Sequence, residues 1–512
     1  MTAPVPVFSV ATVAAALEQA GLLVARRGAI PEHARGIADD SRQVGPGGLF
    51  VAVRGAVRDG HDFLAAAEER GAAVVIVEDP ARTALPALVV RAGRRAAAVA
   101  AAAAYGEPAR AVSLVAVTGT NGKTTTVGIL RHVLDGAGGR AASIGTLGVL
   151  LGSEGTPVPG GQGLTTPGPV ELQRVLRALV DGGVRIVAME VSSHSLDQHR
   201  VEGLAFDAAV FTNVTRDHLD YHGSMDAYFA AKARLVAYLK PNGAAVVNAD
   251  DPAWGALPPA PRTVRFSGGG RAADVSALRV VPTPRGSEWA LRVPEGRGEQ
   301  VRLPLIGEFN IANAVGAAAA AHALGVEART IADRLSSVPQ VPGRLEILHE
   351  RPTVLRDYAH TPDALARALD AVRPFATRRL IVVFGAGGDR DPGKRPLMGE
   401  VAAAKADLAI VTSDNPRTED PERILDDIVA GMRGASYERI EDRRDAIRHA
   451  LAAAEPDDVI VLAGKGHETY QIRGTTSYPF DEKVIVRELT ASAADLSASS
   501  TSSTSNHGTG QP

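Results

Sequence analysis

A glycine-rich turn that closes on a lysine and a hydroxyl residue can cradle a polyphosphate. This chain holds such a turn at Gly119, Thr120, Asn121, Gly122, Lys123, Thr124 and Thr125. Backbone N–H groups of the turn, with the positive end of a following helix, can face phosphate oxygens. Lys123 is expected to reach the terminal phosphates and the Thr124 hydroxyl to ligate Mg²⁺. The commonest form of this loop has another glycine five residues before Gly122, where Val117 stands here, so the loop is a shorter variant. ATP or a related nucleotide is the expected ligand.

Two further polar clusters suit the same chemistry. The first runs from Glu190 to Arg200, and Glu190 is expected to hold a metal or its waters beside a triphosphate. The second runs from Asn213 to His222, where His218 and His222 beside Asp217 and Asp220 suit a metal or a phosphate. Their spacing matches no zinc motif. Late in the chain lie three more: Gly387 to Asp391, Asp414 to Arg417, and Gly464 to Glu468.

Strands and helices must position these groups. The apolar run Val112 to Val117 reads as a buried strand before the loop; Val127, Leu130, Val133 and Leu134 repeat on one helical face after it. Strand candidates at 186–189 and 208–212 end just before the Glu190 and Asn213 clusters, and 244–248 is another. Ligands of open α/β sheets gather at such strand ends. Strand candidates at 380–384, 408–412 and 459–463 alternate with helices, the pattern of a doubly wound parallel sheet, and place the three late motifs on one rim. Earlier strand candidates at 49–53, 73–77 and 87–90 lie between alanine-rich helical stretches.

The expected class is α/β with three domains: 1–110, 111–343 around the phosphate loop with a mostly parallel sheet, and 344–490 of Rossmann-like type. A tail over 491–512, rich in Ala, Ser and Thr, is expected to be disordered. A chain of 512 residues exceeds one ordinary core. A net charge of -3 and 4% aromatic residues argue against a nucleic-acid partner. Zero cysteines excludes disulfides and thiolate chemistry and fits a reducing compartment. No signal peptide or membrane span is evident, so a cytoplasmic monomer without membrane insertion is expected.

The loop residues Gly119 to Thr125, Glu190 to His194, Thr212-Asn213 with Asp217, His218 and Asp220, and Ala231-Lys232 together resemble the Mur ligases of peptidoglycan synthesis. The likeness continues through Gly307 to Asn310, Asn313, Pro342 to Arg344 and Asp357 to Asp363. It implies a first domain that binds a UDP-sugar, a central ATPase, and a last domain that binds the incoming amino acid. ATP would phosphorylate a substrate carboxylate, and an amine would displace phosphate from the acyl phosphate. By resemblance, Lys123, Glu190, His218 and Lys232 are the catalytic group, with Lys232 carbamylated by CO₂ to become a metal ligand. Thr124, Glu190, His218 and Lys232 would hold metal, while Asn310, Asp357 and His360 would line adenine and ribose. Asp39, Ser41, Ala56, Val57, Arg58, Thr165, Thr166, Ser192, Gln198 and Arg200 would bind the UDP-muramoyl dipeptide.

The same resemblance assigns Arg390, Asp414, Asn415, Pro416, Arg417, Gly464 and Glu468 to the amino acid, and favours meso-diaminopimelate. The chemistry agrees: Arg417, with Arg390, can grip its distal carboxylate through paired charge-assisted hydrogen bonds. Glu468 would answer the distal ammonium. L-lysine, a modified diaminopimelate, and a folylpolyglutamate synthase-like activity are the alternatives. A phosphate-loop switch or motor is another, although such proteins usually carry an aspartate where this chain has Glu190.

Overall fold

The computed structural model describes residues 5–501 apart from 56, 57, 138, 162, 295 and 297, with side chains described through 491. The expected residues Ala56 and Val57 thus lie outside the described residues. The chain forms two compact units. The first comprises Met1–Val281, Glu288–Leu303 and Phe309–Pro339, and the second comprises Pro282–Ser287, Pro304–Glu308 and Gln340–Pro512.

The first unit carries two large sheets. One has the order Leu23–Arg27, Ala87–Val90, Ala72–Val77, Gly48–Val51, Ile37–Ala38, parallel except at the Leu23–Arg27 edge. The other joins eleven strands, and its centre runs Arg140–Gly145, Val184–Glu190, Ser113–Thr118, Phe206–Phe211, Leu239–Asn248, Arg262–Ser267, all parallel. Leu114 to Thr118 are all buried, as expected of a strand covered on both faces. Helix Lys123–Leu134 follows at once and buries Val127, Ile129, Leu130, Val133 and Leu134. Val117 pairs with both Glu190 and Val210, so three strand ends come level at the loop.

The second unit is built on the order Glu346–Glu350, Thr353–Asp357, Val459–Ala463, Leu380–Phe384, Leu408–Val411, Tyr437–Arg439. Only the first pair is antiparallel. Phe384 pairs with both Val411 and Ala463, which puts the three late motifs on one rim. The hairpin Tyr470–Arg473 and Thr476–Pro479 follows, then helix Glu482–Thr501. The backbone of that helix runs to Thr501, through alanine-rich sequence of high intrinsic helix propensity. The rest of the tail lies outside the described residues.

Candidate active site

Two glycines allow the phosphate loop its shape. Gly122 has φ 87°, and a Cβ there would come within 2.3 Å of Asn313 Oδ1. At Gly119, φ 149°, a Cβ would lie 1.9 Å from Thr212 Oγ1. Residues after strand Phe206–Phe211 brace the loop. Asn213 accepts from Asn121 N through its side chain at 2.9 Å and from Thr120 N through its carbonyl at 2.7 Å. Thr212 Oγ1 donates to the Asn121 carbonyl at 2.7 Å. The Lys123 ammonium folds onto the loop, donating to the carbonyls of Gly119 at 2.9 Å and Thr120 at 2.8 Å. Asn313 donates to Asn310, which ties Asn310 to the wall of this loop.

Glu190 is 1 % exposed and sits at the centre of a hydroxyl cluster. Thr124 Oγ1 donates to its Oε2 at 3.2 Å, Thr146 N to its Oε1 at 2.8 Å, and Thr146 Oγ1 to its Oε2 at 3.2 Å. Thr146 Oγ1 also lies 3.2 Å from Thr165 Oγ1, and Thr166 Oγ1 donates to the Glu190 carbonyl at 2.9 Å. Arg200 donates to the Thr166 carbonyl and to Gln198 Oε1, while the Ser192 side chain caps its own short helix. The residues expected to hold the muramoyl dipeptide thus join Glu190 in one network. Asp39 lies beside Gly168, just past that threonine pair, and burial raises its pKa. Ser41 is buried nearby in sequence; Arg58 is exposed.

Lys232 is 1 % exposed, not a solvated helical lysine. Its Nζ donates to the Gly119 carbonyl at 2.8 Å and stands 4.4 Å from the Tyr228 ring centroid. Burial, with the Lys123 cation adding to it, holds its pKa well below the ordinary lysine value. The amine is therefore held toward its neutral, nucleophilic form. Tyr228 OH also meets Thr120 Oγ1 at 3.1 Å. Around it gather His194, His218, His222 and Tyr221, with His194 4.7 Å from His218 and 4.2 Å from Tyr221 between ring centroids. His218 faces Asp217, and burial lowers its pKa. Among the described residues no group of three or more His, Cys, Asp or Glu converges as a metal site.

On the second unit, Asp414 and Asn415 are buried at the rim. Arg417, with φ 51°, donates from Nη1 to the Gly388 carbonyl at 2.7 Å and is fixed by the hairpin through its N–H to Ile472 O. A Cβ on Gly387 would meet Arg417 Nη1 at 2.9 Å and Arg390 Cγ at 3.8 Å, so the two arginines flank one bare patch of backbone. Arg390 itself is exposed and donates to the Asp389 carbonyl. The Pro416 carbonyl would be 1.9 Å from a Cβ on Gly388, and Gly464, φ 117°, lies against Asp414. Glu468 accepts from Asn415 Nδ2 at 2.8 Å, and burial raises its pKa. Asp357, also raised to about 6 by burial, accepts from Leu345 N, and His360 packs on Tyr358.

Three family profiles match in order: Mur ligase family, catalytic domain, over residues 33–113; Mur ligase middle domain over 117–321; Mur ligase, glutamate ligase domain, over 343–466. UDP-N-acetylmuramoyl-L-alanyl-D-glutamate–2,6-diaminopimelate ligase of Geobacillus thermodenitrificans is 46% identical over 462 residues, covering 88% of this chain and 93% of that one. This chain belongs to the Mur ligase family. A solved structure of a UDP-N-acetylmuramoyl-L-alanyl-D-glutamate–2,6-diaminopimelate ligase superposes with TM-score 0.63 at 34% identity, covering 90% of this chain and 95% of that one. The folylpolyglutamate synthase of Mycobacterium tuberculosis, solved with ADP and AMPPCP, gives 0.57 at 21% identity over 73% and 92%, which shows a shared fold alone. Mur ligases are ATP-dependent amide ligases, so the switch or motor alternative falls.

Sequence reasoning missed several residues of this Mur ligase site. Thr146 follows strand Arg140–Gly145, so the strand-end rule could have found it. Tyr228 carried no separate signal, and His194, inside the Glu190 motif, was assigned no role of its own. Lys465, within a motif already noted, gave no hint of being fully buried.

Proposed function

We propose that this chain joins meso-diaminopimelate to the D-glutamate side-chain carboxylate of UDP-N-acetylmuramoyl-L-alanyl-D-glutamate, at the expense of ATP, in the cytoplasmic synthesis of peptidoglycan precursor. The observation that carries the reading is Arg417, held by Gly388 and the hairpin on the same rim as Asp414, Asn415 and Glu468. The relatives named for a 2,6-diaminopimelate substrate support it.

A carboxylate cannot expel oxide, so it is first phosphorylated by ATP; the amine then attacks the acyl carbon and phosphate leaves. The loop and Lys123 neutralise and align the phosphates through charge that matches the transition state. Lys123 leaves its two carbonyl partners for the migrating phosphoryl group. Thr165, Thr166, Ser192, Gln198 and Arg200 hold the muramoyl dipeptide close to Glu190, while Asp39, Ser41 and Arg58, with Ala56 and Val57, bind its UDP end. The oxygen donors facing the loop suit Mg²⁺, which takes few protein ligands and keeps waters. Thr124 and Glu190 would hold one ion and His218, with carbamylated Lys232, a second, and the metal would offset charge on the phosphates. A carbamate on Lys232 keeps one N–H, so the bond to Gly119 O survives while a carboxylate is gained.

The test is to mix pure protein with ATP, the UDP-dipeptide and meso-diaminopimelate, omitting each in turn. ADP should form only in the complete mixture, with a product heavier by one diaminopimelate residue. ADP formation independent of the acceptor would overturn the reading.

A further inference from the structure

Lys465 lies wholly inside the second unit, its side chain 0 % exposed. Its Nζ stands 3.1 Å from Asn415 Oδ1 and 3.4 Å from both Asp414 Oδ1 and Glu468 Oε2. The rings of Tyr470 and Phe480 close the other side, their centroids 5.9 and 5.8 Å away. A buried ammonium is costly unless oxygens compensate it, and here three side chains do so. It also orders them: Asn415 Oδ1 accepts from Lys465 and Ile472 N, while Asn415 Nδ2 and Lys465 both donate to the same Glu468 oxygen. Among the described residues no hydrogen bond reaches Glu468 Oε1, which leaves it for a ligand. Asp414 is fixed further by Gln471, which donates to its carbonyl at 2.9 Å.

The buried and half-buried charges at this rim balance before any ligand arrives, Lys465 and Arg417 against Asp414 and Glu468, while the exposed Arg390 stands beside the exposed Asp389 that offsets it. A ligand end bearing one ammonium and one carboxylate preserves that balance. An end bearing an ammonium alone leaves excess positive charge in a poorly solvated place. We propose that Lys465 is a specificity-determining residue that acts by positioning Asn415 and Glu468 and by setting this balance, so that the rim accepts a zwitterionic end and rejects a bare amine. The proposal rests on the diaminopimelate reading above.

The test compares kcat/KM for meso-diaminopimelate and L-lysine in the full-length enzyme. Lys465→Met, which keeps the bulk and removes the charge, should lose at least about tenfold of the preference. The loss should sit in the two amino-acid KM values, with the KM for ATP within about threefold of wild type. Lys465→Arg should keep the preference within about threefold. The double variant Lys465→Met/Asp414→Asn restores the charge balance but not the positioning, and should regain part of the preference; it is also the variant to measure if the single one does not fold. A folded Lys465→Met with undiminished preference, or a double variant no more selective than a folded single one, would overturn the proposal; so would a double variant without the preference if the single one does not fold. A wild-type enzyme that uses both amino acids equally would instead overturn the substrate assignment.

Discussion

At the scale of single residues, two lysines meet the loop in contrasting settings. The Lys123 ammonium donates to two loop carbonyls. Lys123→Ala should lower kcat by about 10²- to 10³-fold, the usual loss of one charge-stabilising group, with the melting temperature little changed. Near-normal turnover would refute the assignment. Lys232 is the contrasting case, buried and held toward neutrality, which is what reaction with CO₂ demands of an amine. Lys232→Ala should lose most activity, and added formate or acetate should restore part by supplying the missing carboxylate. Full activity in the alanine variant would end the carbamate proposal. Sequence alone could not reveal this burial, because Ala231, Lys232 and Ala233 read equally well on a solvated helix.

At the scale of elements, the loop works because a strand, two glycines and a helix agree. Gly122→Ala forces a non-glycine residue to φ 87° and drives its Cβ against Asn313. It should cost about 1–3 kcal/mol of stability and abolish detectable ATP binding, read by thermal melting with and without nucleotide. Unaltered nucleotide binding would show that the loop tolerates another shape. The inner parallel strands were legible: Ala87–Val90, Leu380–Phe384 and Val459–Ala463 are bounded as their apolar runs suggest, because both faces are covered. Strands toward the sheet margins, such as Gly148–Leu151 and Gly286–Arg292, were not, since they are short or mix polar with apolar residues. The rim motifs could be placed from strand ends; the cross-links among Thr146, Glu190 and Thr165 could not, since they join distant stretches of chain.

At the scale of the whole molecule, acid should loosen the second unit through His467. Burial, with Arg344 and Arg356 nearby, holds its pKa at about 4 against an ordinary 6.5. Between those values the unfolded chain binds the proton and the folded one does not, so His467 costs stability as pH falls from 6.5 toward 4. Asp357, raised to about 6, acts in the opposite sense over much of that window. The histidine's share is therefore the difference between wild type and His467→Asn, whose melting temperature should fall less over that range. Identical pH profiles would remove His467 from the account.

The molecule as a whole is proposed to make one amide bond and to choose its amine by the carboxylate beside it. Phosphate release measured with ATP and UDP-N-acetylmuramoyl-L-alanyl-D-glutamate, comparing meso-diaminopimelate with L-lysine, tests it most directly. The account predicts a kcat/KM preference for meso-diaminopimelate of roughly a hundredfold or more, since a site built to pair a charged group rejects a ligand that lacks it. Comparable efficiencies with the two amino acids would contradict it.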